Sequence, residues 1–126
     1  MDIRHHIVIV GGAGSIGSVF TALLCRLADV TVIVRKSSQA RHLSKHGINV
    51  TLRRQGGELL SSSHGCVSVK PPAIKVISRE EVMMSGKKFP PADLIIILVK
   101  SYDTADACRR AVPFAGKDTI ILTLQN

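Results

Sequence analysis

The residues with the clearest chemical meaning lie near the start of the chain, where Gly12-Ala13-Gly14-Ser15-Ile16-Gly17 follows the apolar run HHIVIV. Glycines at this spacing have separate steric uses. Gly12 permits a tight turn, Gly14 lets backbone approach a pyrophosphate, and Gly17 allows a helix to pack closely on a strand. The amides opening that helix lack internal partners and point at whatever anion sits before them. Gly12, Ala13, Gly14, Ser15, Ile16 and Gly17 are therefore the candidate phosphate cradle. The glycine pattern alone is weak; it gains weight from the apolar strand before it, the amphipathic helix after it and the second strand beyond.

That second strand, VTVIV, runs into Arg35-Lys36-Ser37. In a dinucleotide-binding fold the residue at this place faces the adenosine ribose. An acidic side chain accepts hydrogen bonds from the free hydroxyl pair, whereas a basic one neutralises a 2′-phosphate. Arg35 offers paired donors, Lys36 adds charge and Ser37 offers a hydroxyl, so the expected cofactor is NADP(H). Lys100 ends the run DLIIILV and Asn126 follows Gln125 at the end of TIILTL. Lys100 stands where the nicotinamide half should lie, and the Asn126 amide is placed to bond the nicotinamide ribose or a substrate. These two are the catalytic candidates. Asp103, Thr104 and Asp106 read as helix-start residues, whose oxygens accept first-turn amides.

The elements that must position these groups alternate. His6 to Val10 reads as a strand; Ile16, Val19, Phe20, Leu23, Leu24 and Leu27 form a helical stripe ended by Asp29; and Val30 to Val34 is a strand buried on both faces. Ser37 to Gly47 reads as a short helix closed by its glycine. From Ile48 the period changes, and residues 49–54 and 58–60 flank Gln55-Gly56-Gly57 as a hairpin. Cys66 to Lys70 and Ile74 to Ile77 are short strands parted by Pro71-Pro72, which lacks hydrogen-bond donors. The segment from Glu81 to Phe89 is ambiguous. Leu94 to Val99 is a central strand, Thr104 to Val112 a helix, and Thr119 to Leu124 a last buried strand. The expected fold class is α/β, a Rossmann-like doubly wound parallel sheet with antiparallel additions. Its ligand crevice lies beyond the carboxyl ends of the strands, where the glycine loop, Arg35, Lys100 and Asn126 converge.

Composition bounds the alternatives. At 126 residues the chain holds one domain, residues 1–126, and leaves no room for a separate substrate domain. A formal charge of +8 favours a partner carrying phosphate. Phe20, Phe89, Phe114 and Tyr102 are scattered without a stacking pattern, so no nucleic-acid partner is expected. No run is long enough to span a bilayer and the N-terminus is not a secretory signal, so no membrane partner and a cytoplasmic location are expected. Cys25, Cys66 and Cys108 lack metal-like spacing and read as reduced thiols, and His42 and His46, four apart, lack further ligands, so no metal is expected.

Taken together, GGAGSIGS, Arg35 after VTVIV, RHLSKHGINV, ADLIIILVKSYDT and the closing TLQN resemble the ketopantoate reductase (2-dehydropantoate 2-reductase) family from His6 to Asn126. The resemblance implies an N-terminal Rossmann domain for NADPH, a C-terminal helical substrate domain absent from these residues, and reduction of ketopantoate or a related 2-oxo acid to the 2-hydroxy acid, on the path to pantothenate. It places the family's cofactor glycines on Gly12, Gly14 and Gly17, its phosphate arginine on Arg35, its active-site lysine on Lys100 and its asparagine on Asn126. A further lysine and an acidic residue of the family have no counterpart here. The chain alone is therefore expected to bind cofactor and to turn over 2-oxo acids poorly. Self-association is compatible with this reading. Two other readings compete. GGAGSIGS also fits the loop of extended short-chain dehydrogenases, which would recruit Gly11, but Tyr102 is followed four residues later by Asp106 instead of lysine. A non-enzymatic nucleotide-sensing module would keep the loop without catalytic groups.

Overall fold

The computed structural model describes residues 4–11, 14–51, 66–84 and 89–124. Along the chain the elements are β1 (His6–Val10), α1 (Ser15–Leu24), β2 (Asp29–Val34), α2 (Ser37–His46), β3 (Ile48–Thr51), β4 (Cys66–Val69), β5 (Ile74–Ser78), α3 (Arg79–Met84), β6 (Leu94–Ile97), α4 (Thr104–Ala111) and β7 (Ile120–Thr123). Short 3-10 turns at Ser101–Asp103 and Val112–Phe114 bracket α4. The main sheet has the order β5-β2-β1-β6-β7. Every pairing in it is parallel, with Val8 beside Thr31 on one side and Ile95 on the other. This is the doubly wound α/β fold, with a two-stranded antiparallel addition made by β3 and β4.

Burial on both faces explains the unbroken apolar strands. Val8, Ile9 and Val10 of β1 are wholly buried. Ile7 and Ile9 pack towards α1 and α2 with Ala22 and Ala40, and Val8 and Val10 pack towards α3 and α4 with Val82, Ala107 and Ala111. Such two-sided packing suits β-branched residues. The apolar stripe of α1 is shifted from the expected one. Its buried residues are Gly17, Thr21 and Ala22, while Ile16, Leu23 and Leu27 are exposed at 62%, 40% and 76%. Small residues occupy the line of closest approach, and Val19, Phe20 and Leu24 flank it. The helix also stops before Asp29, which opens β2 instead. Arg4 holds this turn, its Nη2 donating to the carbonyls of Cys25 (2.9 Å) and Ala28 (2.8 Å) and its Nε to Asp29 Oδ1 (3.0 Å).

The smaller sheet pairs Ile48 with Val69 and Val50 with Val67, and these apolar residues join the core on the α1 side. The expected turn at Gln55-Gly56-Gly57 and its partner segment 58–60 lie outside the described residues. Beyond Pro71-Pro72 the chain leaves this sheet and enters the main one as β5. In the ambiguous segment, α3 starts at Arg79 behind a reciprocal cap: the Glu81 amide donates to Ser78 Oγ (3.2 Å) and the Ser78 amide to Glu81 Oε1 (3.3 Å). The last strand corrects an expectation, because among the described residues β7 pairs only with β6 and none of its four residues is buried. Its apolar character reflects an uncovered sheet edge. No helix among the described residues is long and apolar enough to cross a membrane.

Gly47 closes α2 at φ +76°, and a Cβ there would meet the Val69 carbonyl oxygen at 2.5 Å. Gly47→Ala is expected to destabilise the protein by about 1–3 kcal/mol from backbone conformation alone, with the clash adding to it. Urea unfolding of both proteins measures this; an unchanged midpoint would contradict the turn geometry.

Candidate active site

The strand order reverses beside β1, so the chain leaving β1 and the chain leaving β6 diverge to opposite faces. A crevice of about 940 Å³ opens there. It is the crevice expected at the switch point of an open parallel sheet. Gly11 turns out of β1 with φ +92° and donates its amide to the Ile33 carbonyl at 3.4 Å. A Cβ on it would come within 3.1 Å of the Leu98 carbonyl carbon and 3.2 Å of Val99 Cγ1. Among the described residues of the loop, Gly11 is the one whose conformation demands glycine. Gly12 and Ala13 lie outside the described residues.

Gly14 caps α1 in an extended conformation, with no side-chain cap and no acidic residue in the first turn. Its amide returns to the Gly11 carbonyl (3.1 Å), and its carbonyl accepts the Ser18 amide (2.8 Å). Gly14, Ser15, Ile16 and Gly17 all line the crevice. The positive end of the helix dipole thus opens into it without a competing carboxylate from its own sequence. A Cβ at Gly14 would touch only the Gly11 oxygen, at an ordinary 3.5 Å. Nothing in the described protein itself requires glycine there.

Arg35 lies at the β2 end of the crevice, with a side chain 64% exposed. Its Nη1 sits 3.9 Å from Asp103 Oδ2. Lys36 is exposed at the N-cap of α2 and is not part of the crevice wall. Ser37 departs from expectation: its hydroxyl donates to Glu80 Oε2 at 2.6 Å, an acceptor too strong for the serine to remain a free phosphate donor. Lys100 is exposed and lines the crevice at the end of β6. Gln125 and Asn126 lie outside the described residues, although Thr123 and Leu124 before them reach the crevice wall.

Asp103 stands at the N-cap of α4 and Asp106 in its first turn, where helix-start residues belong, but the Asp103 side chain makes no cap hydrogen bond. In the preceding 3-10 turn Asp103 N–H donates to the Lys100 carbonyl (2.8 Å) and Thr104 N–H to Ser101. The Thr104 hydroxyl likewise donates to the Ser101 carbonyl (2.7 Å). The carboxylates turn instead to guanidiniums. Asp106 lies 3.1 Å from Arg79 Nη2 and 3.1 Å from Arg110 Nε. Arg110 is only 1% exposed. Burial pushes its guanidinium below the usual range, and Asp106 opposes that shift. Sequence reasoning missed Arg110, Gln39 and Tyr102 as crevice residues. The four-residue spacing from Asp106 was the available signal for Arg110.

The family model described as ketopantoate reductase PanE/ApbA matches residues 7–126, nearly the whole chain. The chain belongs to the ketopantoate reductase family. A 2-dehydropantoate 2-reductase of Halobacterium salinarum is 30% identical over 119 residues, covering 94% of this chain and 33% of that protein. The crystal structure of 2-dehydropantoate 2-reductase from Methylococcus capsulatus superposes with a TM-score of 0.66 at 24% identity, covering 96% of this chain and 33% of that one. D-mandelate dehydrogenase, solved with NADH and anilino(oxo)acetate, gives 0.69 at 21% identity, covering 95% and 33%. The chain spans about a third of the length of these ketopantoate reductase relatives and structural neighbours.

Because Gly14 is free of close contacts among the described residues, Gly14→Ser is expected to leave the fold intact and to raise its stability by a few tenths of a kcal/mol, since serine is the better N-cap. Chemical denaturation checks this, and a loss above about 1 kcal/mol would contradict the open environment of Gly14.

Proposed function

We propose that this chain forms the cofactor-binding part of an NADPH-dependent reductase that converts ketopantoate or a related 2-oxo acid into the 2-hydroxy acid. One observation carries the reading: an uncapped helix N-terminus, with no acid in its first turn, opens into the switch-point crevice that Arg35 also lines. In this reading the amides of Ser15, Ile16 and Gly17 hold the pyrophosphate, Gly14 lets the backbone come close to it, and Gly12 and Ala13 complete the loop. Arg35 takes the 2′-phosphate, and Lys36 adds favourable charge from outside the wall.

When bound, the nicotinamide would supply the hydride for the carbonyl carbon, and water the proton for the oxygen. Lys100, exposed at the β6 end, holds the substrate carboxylate or stabilises the developing alkoxide by its charge. Asn126, two residues beyond Leu124, positions the nicotinamide ribose or the substrate. The ion-paired carboxylates of Asp103 and Asp106 are poor proton donors in this arrangement, so they are assigned no acid role. D-mandelate dehydrogenase was solved with NADH, so the fold itself does not select the phosphorylated cofactor. Here the selection rests on Arg35 and its neighbours.

Titration with both cofactors tests the proposal. NADPH is expected to bind at least about tenfold more tightly than NADH, and Arg35→Ala to weaken NADPH alone by about ten- to a hundredfold, the loss of a charged hydrogen bond. Gly14→Ser should weaken both. Equal affinity of the unaltered protein for the two cofactors, or an equal loss of both in Arg35→Ala, would overturn the assignment.

A further inference from the structure

The least explained group in the crevice is the Arg110 guanidinium. It is 1% exposed, yet Nε and Nη2 are both buried without a hydrogen-bond partner. Asp106 Oδ2 lies at ion-pair distance from Nε, 3.1 Å, but the N–H is not aligned to donate to it. Asp106 is also divided, since its other oxygen lies 3.1 Å from Arg79 Nη2. Buried donors of this strength are rarely left unmade in a native protein, and removing a guanidinium from water is unfavourable unless an anion compensates. Arg110 lines the same crevice as Arg35 and Asp103, and its ionisation is influenced by both. Around this end three guanidiniums, of Arg35, Arg79 and Arg110, share two carboxylates, of Asp103 and Asp106. The local charge is unbalanced by one positive unit. A buried arginine with free donors beside a long, exposed Arg35–Asp103 contact is built to receive a further anion.

We propose that Arg110 is a second phosphate-selecting residue, its guanidinium joining Arg35 on the phosphate of the adenosine ribose. Asp103 is the counter-ion that yields when the phosphate enters. At 3.9 Å its contact with Arg35 is loose, and a dianionic phosphate replaces it with shorter, paired bonds. Asp106 holds Arg110 from one side; because Nε and Nη2 are wholly covered, the guanidinium must shift toward the crevice for the phosphate to reach them. The inference rests on the assignment of Arg35 to the 2′-phosphate.

The probes are 2′,5′-ADP and 5′-AMP, which differ only in the 2′-phosphate, titrated into the protein while the Nε–Hε resonances of Arg35 and Arg110 are followed by NMR. Both resonances should shift with 2′,5′-ADP and stay nearly still with 5′-AMP. A response of Arg35 without Arg110 overturns this inference alone. Silence of both overturns it together with the reading of Arg35. Arg110→Lys keeps the charge but loses the planar fork, and is expected to weaken 2′,5′-ADP by about tenfold with 5′-AMP unchanged. An equal loss of both ligands would mean that Arg110 only supports the fold and would also overturn the proposal. If Arg110→Lys does not fold, the resonances of the unaltered protein decide.

Discussion

The rest of the structure depends on the parallel pairing of β1 with a strand on each side. Parallel neighbours cannot be joined by a hairpin, so each connection must cross over a face of the sheet. Because β2 lies to one side of β1 and β6 to the other, the crossovers part to opposite faces and leave a gap at the carboxyl ends. The gap is a consequence of connectivity, and it places the start of α1, the end of β2 and the end of β6 around one volume. Val8, Ile9 and Val10, fully buried, hold β1 in that register. Slipping it by one residue would exchange the two faces.

Onto that frame the protein places two unlike electrostatic devices. At α1 the device is backbone: the first-turn amides and an aligned dipole, with no acidic residue in that turn. At the far end it is side chains, guanidiniums and carboxylates interleaved across β2, α3 and α4. The first suits any dinucleotide, because every one carries a pyrophosphate. In the proposed function the second distinguishes among them, a phosphorylated ribose supplying the anion this cluster lacks. The cluster brings together residues from segments some seventy-five positions apart in the sequence, from Arg35 to Arg110, and the proposed selectivity resides there.

That separation also explains what could be read from the sequence. That Gly14 to Gly17 and Arg35 border one crevice was legible because each is set by its own strand end, a local property of an apolar run followed by a turn. β1, β2 and β6 were legible for the same reason, and Gly47 ended α2 as its type suggests. The exposure of β7 was not, since an apolar strand reads alike at a sheet centre and at an edge, and only the topology distinguishes them. Ser37 looked like a phosphate donor until Glu80, forty-three residues on, took its hydroxyl. Asp103 and Asp106 do stand at the start of α4, but their carboxylates turn to Arg35, Arg79 and Arg110, partners that local sequence does not reveal. Small residues on α1 were misjudged because periodicity weighs bulk, whereas close packing on a sheet is set by Gly17, Thr21 and Ala22.

In the proposed function the crevice at the carboxyl ends of the strands, and no other surface, holds the dinucleotide. Mapping backbone amide shifts during titration with NADPH tests it most directly. The account predicts large changes at Ser15, Ile16 and Gly17, smaller ones at Arg35 and Lys100, and none at Lys75 or Phe114 around the opposite end of the sheet. Changes concentrated at Lys75 and Phe114, or saturable binding that leaves Ser15 to Gly17 unmoved, would contradict it.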